Sequence, residues 1–215
     1  MAFRVLERWL RMKIPKHAIL YAPLATVLLS ASITAQKPVR TSSPSVSAQP
    51  PRTVTTFTLT STDLKNGAFA DDQVLNTFGC SGNNVSPQLS WTNAPAGTKS
   101  FVLTMFDPDA PTGSGFWHWV VVNIPASTSA LPNGASKDAA KLPVGSLETR
   151  TDLGAPGYGG PCPPARDKPH RYVFTLHALK VEKLDVDLQT SAALVGFNVH
   201  MEEIGRATLT ARYGR

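Results

Sequence analysis

Hydrophobic positions along this chain fall into short runs separated by turn residues, and the runs change character along the sequence. Phe57-Thr58-Leu59-Thr60 alternates apolar and polar, the pattern of an opening strand with one buried face. Val85 to Trp91 reads as extended. Pro87 confines it to an edge or a bend, because proline offers no N–H to a ladder. Ser100 to Phe106 and Trp117 to Ile124 are nearly continuous apolar runs and read as buried strands. Arg171 to Leu179 alternates cleanly. There His170, Tyr172, Phe174 and Leu176 take one face, so His170 and Tyr172 point the same way about 7 Å apart. The same alternation in the Trp117 run puts His118 on the face of Val120 and Val122, opposite Trp117 and Trp119. Between residues 132 and 169, Gly and Pro are too dense for regular structure. One helix is expected late, because Leu194, Phe197, Met201 and Ile204 recur at helical spacing and form one apolar face. Gly205 is expected to end it, and Ala207 to Tyr213 to form a last strand. Strands outnumber helices and no βαβ rhythm appears, so the predicted fold is mainly β and antiparallel, with a C-terminal helix.

Charge changes the picture. The net +6 of the 215 residues is unevenly placed. Residues 1–35 carry five basic side chains and one acidic, and residues 36–52 add three basic ones. The remainder carries 13 Lys+Arg against 14 Asp+Glu, a net −1. A near-neutral domain lacks the basic footprint of phosphate-backbone binding, so no nucleic-acid partner is expected. Residues 1–35 read as a signal peptide: a basic start, an apolar run from Ala18 to Ala35, and small residues crowding its end. The alternative is an uncleaved N-terminal anchor, with membrane contact through that segment. The chain is therefore expected to be exported, periplasmic or secreted. Residues 36–54 are a Ser/Pro-rich linker expected to be disordered. Residues 55–214 form the domain. An even cysteine count in an exported chain favours a disulfide between Cys80 and Cys162, worth about 4 kcal/mol if unstrained. The alternative is two free thiols. No cysteine or histidine spacing supports a metal site, and no cofactor is implied.

Candidate chemistry gathers at the ends of the apolar runs. Asp107-Pro108-Asp109-Ala110-Pro111 is a stiff turn carrying two carboxylates, followed closely by Trp117-His118-Trp119, and a third run opens with His170-Arg171-Tyr172. An Asp, two His and a Tyr at neighbouring strand ends would make a small anion or polar head-group pocket. Each has a blander reading: Asp is common in turns, and a lone His on an apolar face is usually a satisfied core residue. Gly113-Ser114-Gly115 does not match a hydrolase nucleophile elbow. Gly157 to Pro164 is Gly-rich but lacks the Lys-Ser/Thr of a P-loop. No activated nucleophile is evident, so no enzymatic activity is expected; a hydrolase using Asp107 and His118 is the weakest reading.

Four of these segments carry a resemblance: Asp107 to Pro111, Trp117 to Pro125, Gly157 to Pro164 and His170 to Leu176. With Phe78-Gly79-Cys80 and Asn84 to Trp91, they are similar to the phosphatidylethanolamine-binding protein family, and most to its bacterial Raf-kinase-inhibitor-like branch of YbhB/YbcL type. The resemblance implies a large antiparallel sheet packed on a smaller one, with peripheral helices. It also implies a pocket for phosphate-containing small molecules or phospholipid head groups, using Asp107, Asp109, Pro111, His118, His170 and Tyr172. The loop of Gly160 and Pro163 would form a wall. By the same resemblance a protein partner, a protease or a kinase, is the alternative to a small ligand, with residues 126–156 as the segment entering a protease.

Overall fold

The structure, a computed structural model, describes residues 55–215. The expected signal peptide and the whole of the expected linker lie outside the described residues. The described residues belong to one compact unit, Pro51–Arg215.

Its strands are β1 (Thr58–Thr60), β2 (Leu89–Thr92), β3 (Ser100–Asp107), β4 (Phe116–Pro125), β5 (Ala130–Leu131), β6 (Leu147–Glu148), β7 (His170–Leu179) and β8 (Glu203–Tyr213). A single α-helix, α1 (Ala192–Glu202), lies between β7 and β8 among the described residues. A small antiparallel sheet has the order β1-β2-β5, and a large one the order β6-β4-β3-β7-β8. The mainly antiparallel β fold with a C-terminal helix is thus the one observed.

The continuous apolar run of β3 has a direct cause: the strand is central and covered on both faces. On one face, Phe101, Leu103 and Met105 join Trp119, Tyr172, Phe174 and the small sheet's Leu59, Leu89, Trp91 and Leu131 in one core. On the other, Val102, Val120 and Val122 meet Ala192, Val195 and Val199 of α1. The large sheet is therefore the middle layer between the small sheet and the helix. β7 alternates in burial as its sequence does, with His170, Tyr172, Phe174 and Leu176 turned toward the small sheet.

Three expectations are corrected. Pro87 precedes β2, which starts at Leu89 and is the central strand of the small sheet, not an edge. The predicted helix face points outward: Leu194, Phe197 and Met201 are exposed while Ala192, Val195 and Val199 are buried. Both sets recur at i, i+3 and i+7, so period alone cannot choose between them. The sheet selects the smaller side chains, which admit close approach. Finally, Gly205 does not stop the helix. α1 ends at Glu202, and Gly205 sits within β8 opposite Ala178, where a Cβ would lie 2.7 Å from Pro95.

Candidate functional site

β3, β4 and β7 present their Asp and His residues at one end of the large sheet. Asp107 closes β3, His118 lies near the start of β4, and His170 and Tyr172 open β7. Strict alternation would not bring His118 to this group. Met105 pairs with Trp119 and Phe106 with Trp117, so His118 is an extra residue in a β-bulge. A bulge lets two successive residues share a face. His118 consequently stacks edge-on to Tyr172, ring centroids 5.2 Å apart, while Trp119 stays in the same core against Tyr158. Trp117 is turned to the face of Val120 and Val122. The expected pairing of His118 with Val120 and Val122 is thereby overturned, and the bulge is the reason.

The side chains enclose a cavity of about 330 Å³. Asp107, Pro111, His118, Gly160, Pro163, His170 and Tyr172 all line it. Asp109 does not: it lies on the far side of His170, where its two oxygens accept from the Arg171 guanidinium at 2.9 and 2.6 Å. That pairing, first of all, holds the Asp109 carboxyl far below its ordinary range. Sequence reasoning missed three lining residues of consequence, Phe78, Phe116 and Asp152. Asp152 sits in the irregular stretch, where no periodicity marks it; its carboxylate accepts the Trp117 N–H at 2.8 Å.

Hydrogen bonding fixes what each polar group can offer. Buried Asp107 accepts from His170 Nδ1 at 2.8 Å and from the Asp109 N–H at 2.8 Å. His170 Nε2 lies 3.5 Å from the Asp167 carboxylate, so this ring has a carboxylate at each nitrogen. His118 Nδ1 lies 2.8 Å from the Gly159 carbonyl, which can only accept, so Nδ1 carries the proton. In the neutral ring Nε2 is then a lone pair. Burial lowers the pKa of His118, opposed by the Gly159 carbonyl and the Asp107 charge, which favours that neutral form. The Tyr172 hydroxyl is buried and makes no hydrogen bond among the described residues. Its pKa is raised, chiefly by burial and then by the Asp107 charge, so it stays a neutral donor. Tyr172 lines the cavity, and its buried hydroxyl has the Asp107 carboxylate as an interacting neighbour, so a ligand would compete with that carboxylate for it. No Lys or Arg lines the cavity.

The wall opposite the strands depends on backbone approach. The Asn84 amide clamps it, donating to the Tyr158 carbonyl at 3.1 Å and accepting the Gly160 N–H at 2.7 Å. A Cβ on Gly160 would lie 2.0 Å from the Gln73 carbonyl oxygen, so glycine alone fits. Beyond it, Cys162 is disulfide-bonded to Cys80, closing a loop of 82 residues across the cavity rim. Among the described residues no group of His, Cys, Asp or Glu is arranged to hold a metal ion.

Comparison with known proteins agrees with this architecture. Residues 65–214 match the family described as "Phosphatidylethanolamine-binding protein". The chain is 52% identical to the UPF0098 protein YbhB of Escherichia coli over 156 residues, covering 72% of this chain and 98% of that protein. It is 50% identical over 159 residues to the UPF0098 protein YbcL of Escherichia coli, covering 73% and 87% respectively. The crystal structure of Escherichia coli YbcL, described as a new member of the mammalian PEBP family, superposes with a TM-score of 0.72 at 48% identity, covering 74% of this chain and 98% of that one. The solved YbcL chain thus corresponds almost wholly to the domain described for this chain.

Proposed function

The chain belongs to the phosphatidylethanolamine-binding protein family, and from that premise we propose that it is an exported, non-enzymatic binding protein for a phosphate-bearing head group that supplies its own protons. The observation that carries this reading is the buried Tyr172 hydroxyl, which makes no well-formed hydrogen bond, beside a cavity that contains two carboxylates and no Lys or Arg. Tyr172 offers one donor to a phosphate oxygen. His118 Nε2 and the carboxylates of Asp107 and Asp152 offer acceptors, suited to an ammonium group or to a P–OH. With no Lys or Arg in the lining, a bare phosphate dianion would face two carboxylates and gain one hydroxyl. A zwitterion such as phosphoethanolamine, or a singly protonated phosphate monoester, meets complementary groups throughout. Export is supported by the basic-then-apolar start of the sequence and by the disulfide, which persists in oxidising compartments. No helix among the described residues is long and apolar enough to cross a membrane.

Calorimetric titration of residues 53–215 with phosphoethanolamine, ethanolamine and phosphate tests the reading. Saturable binding of phosphoethanolamine, lost in both His118→Ala and His170→Ala, is expected. A folded, oxidised domain that binds none of the three would overturn it and leave recognition of a partner protein as the family's other reading.

A further inference from the structure

The groove on the outer side of His170 is built from different chemistry than the cavity. Lys168, Arg171 and Arg212 line it, together with Asp109 and Asp167. Arg171 and Arg212 are register neighbours in β7 and β8. Arg171 is neutralised by Asp109, whereas Arg166, Lys168 and Arg212 form no salt bridge among the described residues. The Arg166 N–H donates to the Arg215 carbonyl at 3.0 Å. The Arg215 guanidinium in turn donates to the carbonyls of Pro163, Gly79 and Phe78, at 2.8, 2.8 and 3.2 Å. Phe78 and Pro163 line the cavity, so the basic groups run up to its mouth. The groove itself holds Lys168, Arg171 and Arg212 against Asp109 and Asp167, with Arg166 and Arg215 beside it, while Asp152 lines the cavity it leads to.

A second, independent observation lies on the same edge. Thr77 to Cys80 is a tight turn, closed by a 2.9 Å bond from the Cys80 N–H to the Thr77 carbonyl. Its central residues, Phe78 and Gly79, have φ of 52° and 82°. Two successive left-handed residues suit Asn-Gly or Gly-Gly, and a bulky aromatic there is strained. Packing offers little compensation, because Phe78 is 75% exposed. The turn is nonetheless held firmly, by the Cys80–Cys162 disulfide behind it and the Arg215 clamp beside it. The result is an aromatic ring fixed in solvent at the cavity mouth, beside a row of uncompensated cations.

We propose that this edge docks on the surface of an anionic lipid bilayer. Phe78 enters the interfacial layer, where amphipathic and aromatic groups partition. Arg166, Lys168 and Arg212 meet lipid phosphates, and the mouth faces the leaflet. A bilayer fits better than a folded acidic protein, because one ring on a turn offers little area to a rigid partner, whereas a fluid interface accepts it without shape complementarity. Docking itself is independent of the proposed head-group reading; only the transfer of a lipid head group into the cavity rests on it.

The test is co-sedimentation of residues 53–215, which exclude the apolar N-terminal run, with phosphatidylcholine vesicles that do or do not contain phosphatidylglycerol. Binding is expected only with phosphatidylglycerol and should weaken as salt is raised. The double charge reversal Lys168→Glu with Arg212→Glu should lower it at least tenfold, since each cation removed near such a surface is worth about fivefold. Phe78→Ser should lower it several-fold while leaving the salt dependence. Neither Lys168 nor Arg212 lines the cavity, so the double variant should keep its thermal midpoint and its phosphoethanolamine affinity. Equal binding to both vesicle types, or binding unchanged in the double variant, would overturn the proposal. So would capture of an acidic polypeptide with no vesicle binding at all. Vesicle binding without phosphoethanolamine binding would support docking while removing the head-group reading.

Discussion

The first residues of β7 separate two environments within a single side-chain step. His170 and Tyr172 point into a cavity with two carboxylates and no Lys or Arg, while Arg171, between them, points into a groove shared with Lys168 and Arg212. Asp107 and Asp109 repeat the division two residues apart: one holds His170 inside, the other holds Arg171 outside. Strand alternation is what keeps the two chemistries apart, and it assigns them different tasks. Under the proposed function the inner groups sort ligands by the protons they bring. Under the proposed docking the outer groups respond to negative charge at a surface.

The largest effect should come from breaking the wall that both environments share. Replacing Cys80 and Cys162 by serine removes a cross-link over 82 residues, with an expected cost of about 4 kcal/mol in urea unfolding. Loss well below 2 kcal/mol would mean that the wall is held without it. Asp107→Ala comes next. It leaves His170 buried without its Nδ1 partner, and losing one member of a buried pair costs about 3–5 kcal/mol. The same measurement on Asp109→Ala should show about 1 kcal/mol or less, because that pair is partly exposed and screened. Comparable costs for the two would erase the distinction between inside and outside.

Tyr172→Phe sharpens the comparison further. The hydroxyl makes no well-formed hydrogen bond and interacts only with the neighbouring Asp107 carboxylate, so stability should change by no more than about 1 kcal/mol, while phosphoethanolamine affinity should fall about tenfold. Unchanged affinity would remove Tyr172 from the ligand's partners. The smallest effect is in pH. His118 has its pKa lowered by burial, so between its folded value and the ordinary 6.5 the unfolded chain binds more protons. Its contribution to stability is full above pH 6.5 and is lost as pH falls toward the folded value. His118→Gln should flatten that part of the stability profile, as read from thermal midpoints between about pH 5 and pH 7.

Much of this was legible in the residues. The alternation of Arg171 to Leu179 placed His170 and Tyr172 on one face, and the unbroken run of Ser100 to Phe106 marked a strand covered on both sides. The bulge at His118 was not legible, because it depends on the pairing of β4 with β3, not on composition. That one extra residue moves His118 from the helix-facing side to the cavity. The helix failed for a different reason: residues 192, 195 and 199 have the same spacing as 194, 197 and 201, so only the approaching sheet decides which line is buried. Asp152 and the turn of Phe78 lie in segments without period, where tertiary contact alone gives a side chain its direction.

The most direct test of the central claim is the affinity of residues 53–215 for inorganic phosphate at about pH 6 and pH 8, with Tyr172→Phe and the Lys168→Glu/Arg212→Glu pair as comparisons. An acceptor-lined cavity predicts weaker binding as phosphate loses its last readily lost proton, and sensitivity to Tyr172 alone. Tighter binding at the higher pH, lost in the charge-reversed pair and retained in Tyr172→Phe, would place the anion in the outer groove and contradict the account.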